Sequence, residues 1–113
     1  MELGTIIASR IYEVLGGGSA TLSIGLPRSN PQAPDWFCPW QLVGAGDGAV
    51  HAAYGIDAVQ ALQLAMPDIG SHLARLPDLR LDGGTDLGFP TPDEWSALSE
   101  YRRRRDRKGG MSI

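Results

Sequence analysis

The chain has one cysteine, few aromatic rings, no long apolar run and no catalytic signature, and each shortage narrows what it can be. Cys38 stands alone and cannot close an internal disulfide, so packing must hold the fold. No apolar stretch approaches the roughly 18 residues that a membrane helix needs. Met1-Glu2-Leu3-Gly4 is acidic, with no basic segment ahead of an apolar one, and does not read as a secretory leader. A cytoplasmic protein without a membrane partner is the expectation. There is no Gly-x-Ser-x-Gly elbow, phosphate-binding loop or dinucleotide fingerprint. Closely spaced Cys or His pairs of the zinc type are missing too, so neither a metal nor a cofactor is expected.

What is there is ordinary for a globular chain: 113 residues, 42% hydrophobic and 20% charged, one domain's worth of sequence. The net charge of −3 is unevenly spread. Residues 1–100 carry four arginines against twelve acids, whereas residues 101–113 carry five arginines and one lysine against one acid. An acidic body therefore ends in a basic tail.

Fifteen glycines and eight prolines punctuate the chain. Thr5 to Leu15 is rich in strand formers (Ile6, Ile7, Ile11, Tyr12, Val14), and Ala20 to Leu26 alternates apolar with small or polar residues. Gly16-Gly17-Gly18-Ser19 between them predicts a hairpin turn. The proline-bearing segment 27–35 reads as loop. Phe37 to Val43 predicts a third strand, with Pro39 marking it as an edge strand or a bulged one. Ala49 to Tyr54 and Leu79 to Asp82 are candidates for further short strands.

After Gly55 the period changes. Val59, Leu62, Met66, Ile69, Leu73 and Leu76 recur at steps of three and four, one stripe of a helix. Asp57 and Gln60 have the spacing of a capping box. Pro67 costs a backbone hydrogen bond, but the stripe stays in phase across it, which predicts one kinked helix rather than two. Thr91 and Glu94 form a second capping box around Pro92, the start of a C-terminal helix that leads into the arginines. Assembled, the expectation is α+β: an antiparallel sheet of three to five strands, one long helix on one face, and a C-terminal helix. Residues 1–90 form the domain, and residues 91–113 form the C-terminal helix and tail.

Cys38-Pro39-Trp40, then Gly55-Ile56-Asp57-Ala58-Val59-Gln60-Ala61-Leu62 and the later pair Ile69-Gly70, resemble a family of small bacterial proteins of unknown function. That resemblance implies a bacterial, cytoplasmic protein with a sheet-plus-helix fold, and it implies no catalytic residue.

The candidate functional residues are few. Asp57 and Gln60 lie where backbone donors of a helix start could hold an anion, but Asp57 itself fills that position and the pair reads as a cap. His51 and His72, with Asp47, Asp68 and Cys38, are the groups able to bind a metal or move protons; no local spacing joins them, and they read as structural or surface residues. Cys38, in phase with Trp40 and Leu42, reads as a buried, inert thiol. Trp36, Phe37 and Trp40 cannot all face one core when side chains alternate, so at least one lies at the surface or beneath the 27–35 loop; Trp36 and Trp40 are candidate interface anchors, and packing under that loop is the equal alternative. Arg102, Arg103, Arg104 and Arg105 could neutralise phosphates, but the acidic body opposes a duplex. A solvated tail, or an arm pairing with acids on this subunit or a neighbour, fits the charges better.

The leading expectation is a non-enzymatic protein–protein interaction module, immunity-like or regulatory, binding itself as a homodimer or another protein. Against it stands a small-ligand binder or enzyme with a cleft between sheet and helix, using His51, Asp57 or His72. That alternative requires two of those groups to converge in a pocket. Nucleic-acid contact through the tail is the third.

Overall fold

The computed structural model describes residues 1–94. Strand β1 (Ile6–Val14) and strand β2 (Ser19–Gly25) form the hairpin, with Tyr12 opposite Ala20 and Arg10 opposite Leu22. Gly16, Gly17 and Gly18 all have positive φ, a backbone region costly for residues with a Cβ, which is why glycines stand at this turn. Strand β3 (Arg28–Ser29) lies inside the segment expected to be loop alone, in the gap between Pro27 and Pro31 where backbone donors remain. Strand β4 (Trp36–Val43), strand β5 (Val50–Gly55), helix α1 (Ala58–Leu73) and strand β6 (Leu79–Arg80) follow.

All the pairings are antiparallel, in the order β5–β4–β2–β1–β6, with β3 continuing along the edge of β4 beyond the end of β2. Strand β4 is thus interior, not the edge strand that Pro39 suggested. Its pairing to β2 stops at Trp40 and the one to β3 resumes at Phe37. Pro39 sits in that gap, where a missing N–H breaks no ladder bond.

Helix α1 packs on β4 and β5 as one element that runs through the buried Pro67. Its buried line differs from the expected stripe. Ala61, Ala65, Ile69 and Leu73 face the sheet, Leu62, Met66 and Leu76 flank the seam, and Val59 is 64% exposed. Two alanines on the inner line let the helix approach closely, which rotates the larger side chains to its margins. The helix ends at Leu73, and a tighter turn carries the chain to Leu76 through the Leu76 N–H to Leu73 carbonyl bond.

Because α1 covers β4 and β5, the inner side of β1 needs another cover. Residues 85–90 supply it as a strap: Tyr12 Oη and Arg10 Nη1 both donate to the Leu87 carbonyl, and the Arg10 guanidinium lies over the Phe89 ring. Gly70 is where this strap crosses the helix, since a Cβ there would overlap the Pro90 carbonyl oxygen. The core between the layers centres on Trp40, Tyr12, Leu22 and Ile69. It is wider than the helix stripe alone.

The opposite face of the sheet carries no element of the described residues. Its two central cross-strand rows, Ser9–Ser23–Gln41–Val50 and Ile11–Thr21–Val43, contain no charge, and Ile11 and Val43 are 66% and 55% exposed, whereas Glu13 opposite Arg80 and Arg28 beside Phe37 bring charge to the ends of the face. At the C-terminal end, Pro92–Glu94 begin a helix and the Glu94 N–H donates to Thr91 Oγ1 at 3.3 Å, the expected cap. The expected course of the C-terminal helix beyond Glu94, and Arg102, Arg103, Arg104 and Arg105, lie outside the described residues. Within the described residues, no helix is long and apolar enough to cross a membrane.

Candidate functional site

Register brings the two histidines together. Strand alternation puts Cys38, Trp40 and Leu42 on the helix side of β4, and the β4–β5 pairing sets His51 directly opposite Trp40. The last turn of α1 passes over the same point and delivers His72. The His51 ring stacks on the Trp40 indole with centroids 4.7 Å apart, His72 meets the same indole edge-on at 4.8 Å, and the two imidazoles are 4.5 Å from each other. Trp40 is 1% exposed, so it forms the floor of this cluster and does not serve as the surface anchor for which it was a candidate.

Each imidazole has its own carboxylate. His51 Nε2 lies 3.0 and 3.1 Å from the two oxygens of Asp47, and His72 Nε2 lies 3.9 Å from Asp68. Asp47 also accepts the Ala49 N–H at 2.9 Å; this bond first, and the His51 contact next, hold its carboxyl below the usual carboxylate range. Asp68 accepts the Trp40 indole N–H at 2.9 Å, which ties the floor of the site to the helix. A carboxylate behind an imidazole fixes the orientation of the ring, the arrangement that suits proton transfer.

Trp40, His51, His72 and Asp47 border an open cleft of about 150 Å³ at the end of the seam between sheet and helix. Leu42, Ala45 and Leu76 give it apolar walls, and Arg75, just past the end of α1, joins His51, His72 and Asp47 at its rim. No set of three or more His, Cys, Asp or Glu among the described residues is placed to hold a metal ion.

The other residues singled out in the sequence lie elsewhere. Asp57 Oδ1 accepts the Gln60 N–H at 2.8 Å and Gln60 Oε1 accepts the Ile56 N–H at 2.8 Å, so both cap α1; Gln60 reaches the residue before the cap instead of Asp57 itself. Cys38 is buried with its Sγ–H toward the Gly25 carbonyl, and burial pushes its thiol up to about 11. Trp36 is partly buried against the core, while Phe37 turns to the outer face, tilted against Tyr54 and beneath Arg28.

Arg75 is the site residue that the sequence reading did not single out, and the convergence of His51 and His72 was required by the alternative reading but not expected. A signal was present: Asp47-Gly48-Ala49-Val50-His51 and Asp68-Ile69-Gly70-Ser71-His72 repeat one carboxylate-to-imidazole spacing of four. The spacing means different things in its two settings, a loop closing onto a strand and one turn of a helix, and only the register of β4 with β5 brings the pairs to one place.

A two-layer α+β protein with a paired-histidine cleft at the mouth of the seam is the class that fold and site define. Residues 8–91 match the family described as a domain of unknown function (DUF6968), and the chain belongs to it. No curated protein and no solved structure matches the chain. The residues that carried the resemblance prove to be those that seat the helix. Gly55 leaves room for the Ala61 amide, 2.5 Å from where a Cβ would stand, Asp57 and Gln60 cap the start, and Gly70 admits the strap.

Proposed function

We propose that the chain is a small-ligand-binding module whose working site is the cleft floored by Trp40 and rimmed by His51, His72, Asp47 and Arg75. The observation that carries this reading is the convergence of His51 and His72, 4.5 Å apart, at an open cleft between sheet and helix. Isolated histidines need no such neighbour, and two imidazoles crowded on one indole are well placed to bind a polar group and exchange a proton with it. Asp57 takes no part, because its carboxylate is committed to the helix cap.

Nuclear magnetic resonance of the imidazole C–H groups tests it directly. A library of small acids, bases and aromatic fragments is screened against the full chain. At least one compound is expected to move the His51 and His72 resonances in a saturable way, and His51→Gln and His72→Gln are expected to weaken its binding while circular dichroism stays native. If no compound reaches either ring, the reading fails.

A second reading, contact with a further copy of this chain, has its own observation in the outer sheet face, whose two central rows are uncharged and leave Ile11 and Val43 exposed. It keeps alive an interaction role of the immunity-like or regulatory kind. Light scattering after size exclusion should then give a dimer that Ile11→Lys dissociates; a monomer at micromolar concentration removes it. For setting we propose a bacterial cytoplasm, which suits a lone reduced thiol and the family resemblance.

A further inference from the structure

We infer that the cleft takes an oxyanion, the carboxylate or phosphate head of a small molecule, clamped by Arg75 with His51 and His72. This inference rests on the ligand-cleft reading above and narrows it to one charge class.

The arginines make the case. Of the four in the described residues, three are engaged by main-chain oxygens: Arg10 donates to Leu87, Arg28 to Glu2, and Arg80 to Pro77 and Leu79. Arg75 alone donates to nothing among the described residues, and it stands at the rim of the cleft. A planar guanidinium with open donors is the side chain best shaped to take a carboxylate or phosphate in two parallel hydrogen bonds.

The imidazoles add to it. His51 uses Nε2 on Asp47 and keeps Nδ1 open, and His72 has no hydrogen-bond partner within 3.5 Å among the described residues. Asp47 is engaged by His51 and the Ala49 N–H, and Oδ2 of Asp68 by the Trp40 indole. The donors left open at the rim are concentrated on Arg75, with the two imidazoles beside it. His72 also lies in the last turn of α1, where the carbonyl end of the helix favours a cation.

Protons set the sign of the site. Asp47, Asp68, Arg75 and the two imidazoles are the charged and titratable groups that meet there from the β4–β5 loop, β5 and α1 with the turn that follows it. With both imidazoles neutral, these five groups leave one negative charge in excess; with both protonated, they leave one positive charge. Anion binding is thus coupled to proton uptake, and affinity must rise as the medium becomes acidic.

The test uses the full chain titrated with inorganic phosphate and, separately, acetate, at about pH 5.5 and about pH 8, the two sides of the imidazole range. Phosphate separates a tetrahedral head from the planar one of acetate. It also gains charge as pH rises, so weaker binding at the higher pH cannot come from the ligand. The expected result with at least one anion is a saturable shift of the His51 and His72 resonances, with affinity lower by about tenfold or more at the higher pH. Arg75→Gln should weaken binding by about tenfold or more at the lower pH, whereas Arg80→Gln should leave it unchanged. Shifts that fail to saturate, or that survive Arg75→Gln, mean an adventitious ion only and overturn the inference. If neutral or cationic fragments saturate the imidazoles and neither anion does, the oxyanion assignment falls while the ligand cleft stands. If no compound of any charge reaches them, both fall.

Discussion

The indole N–H of Trp40 donates to the Asp68 carboxylate at 2.9 Å, joining the middle of β4 to α1 beneath the two histidines. Trp40→Phe keeps an aromatic ring in the core but removes the donor and leaves Asp68 without its partner. The expected loss is about 1–3 kcal/mol of unfolding free energy, the cost of stranding a part-buried acceptor plus lost packing. Urea unfolding followed by circular dichroism measures it, and a change below about 0.5 kcal/mol would mean that this bond does not hold sheet to helix. Because both imidazoles rest on that indole, their resonances should move in the same variant.

Gly70→Ala separates helix propensity from tertiary fit. In an exposed helix, alanine is favoured over glycine by about 1 kcal/mol. Here the added methyl group would overlap the Pro90 carbonyl oxygen, which belongs to backbone and cannot rotate away. The expected sign is therefore reversed, a net destabilisation of about 1 kcal/mol or more. Amide exchange should report the loss locally, with protection falling at 85–90. A more stable Gly70→Ala protein would show that the strap does not pack on the helix.

The start of α1 gives a paired prediction. Asp57→Ala removes the acceptor for the Gln60 N–H and should cost about 1 kcal/mol. Gln60→Ala releases the Ile56 N–H and should cost somewhat less, since that group can turn to water. The two side chains form one motif, so the double variant should lose less than the two single losses added together, by about 0.5 kcal/mol or more in a double-mutant cycle. Strict additivity would mean that the two caps act separately.

Local physics made most of the fold legible: strand-forming residues marked β1, alternation marked β2 and β4, the three-and-four stripe marked α1, and Asp57 and Thr91 each accept the amide three residues on that the spacing implied. What stayed hidden depends on residues far apart in the chain. The helix stripe is centred on Ala61 and Ala65 because of what it packs against, which no helical wheel contains. Pro39 looked like an edge marker because its tolerance in an interior strand depends on β2 ending where β3 begins. The histidines looked solitary for the same reason. His51 and His72 are brought together by the register of β4 with β5 and by the crossing of α1, neither of which a local pattern encodes.

The buried thiol makes an alkaline prediction whose sign can be worked through. Burial pushes Cys38 from its ordinary value of 9.0 up to about 11, and burial likewise raises Tyr12 against the opposing pull of Arg10. The native protein then holds protons that the unfolded chain has already released. Stability from Cys38 is complete below about pH 9 and is lost as pH climbs through about 11. Urea unfolding across this window should show the native state weakening, and Cys38→Ala should flatten part of that slope, leaving the portion due to Tyr12. In the same protein near neutral pH, the thiol should resist a water-soluble disulfide reagent until urea unfolds the chain. Rapid modification of the native state would mean that β4 opens far more readily than a strand paired on both edges should.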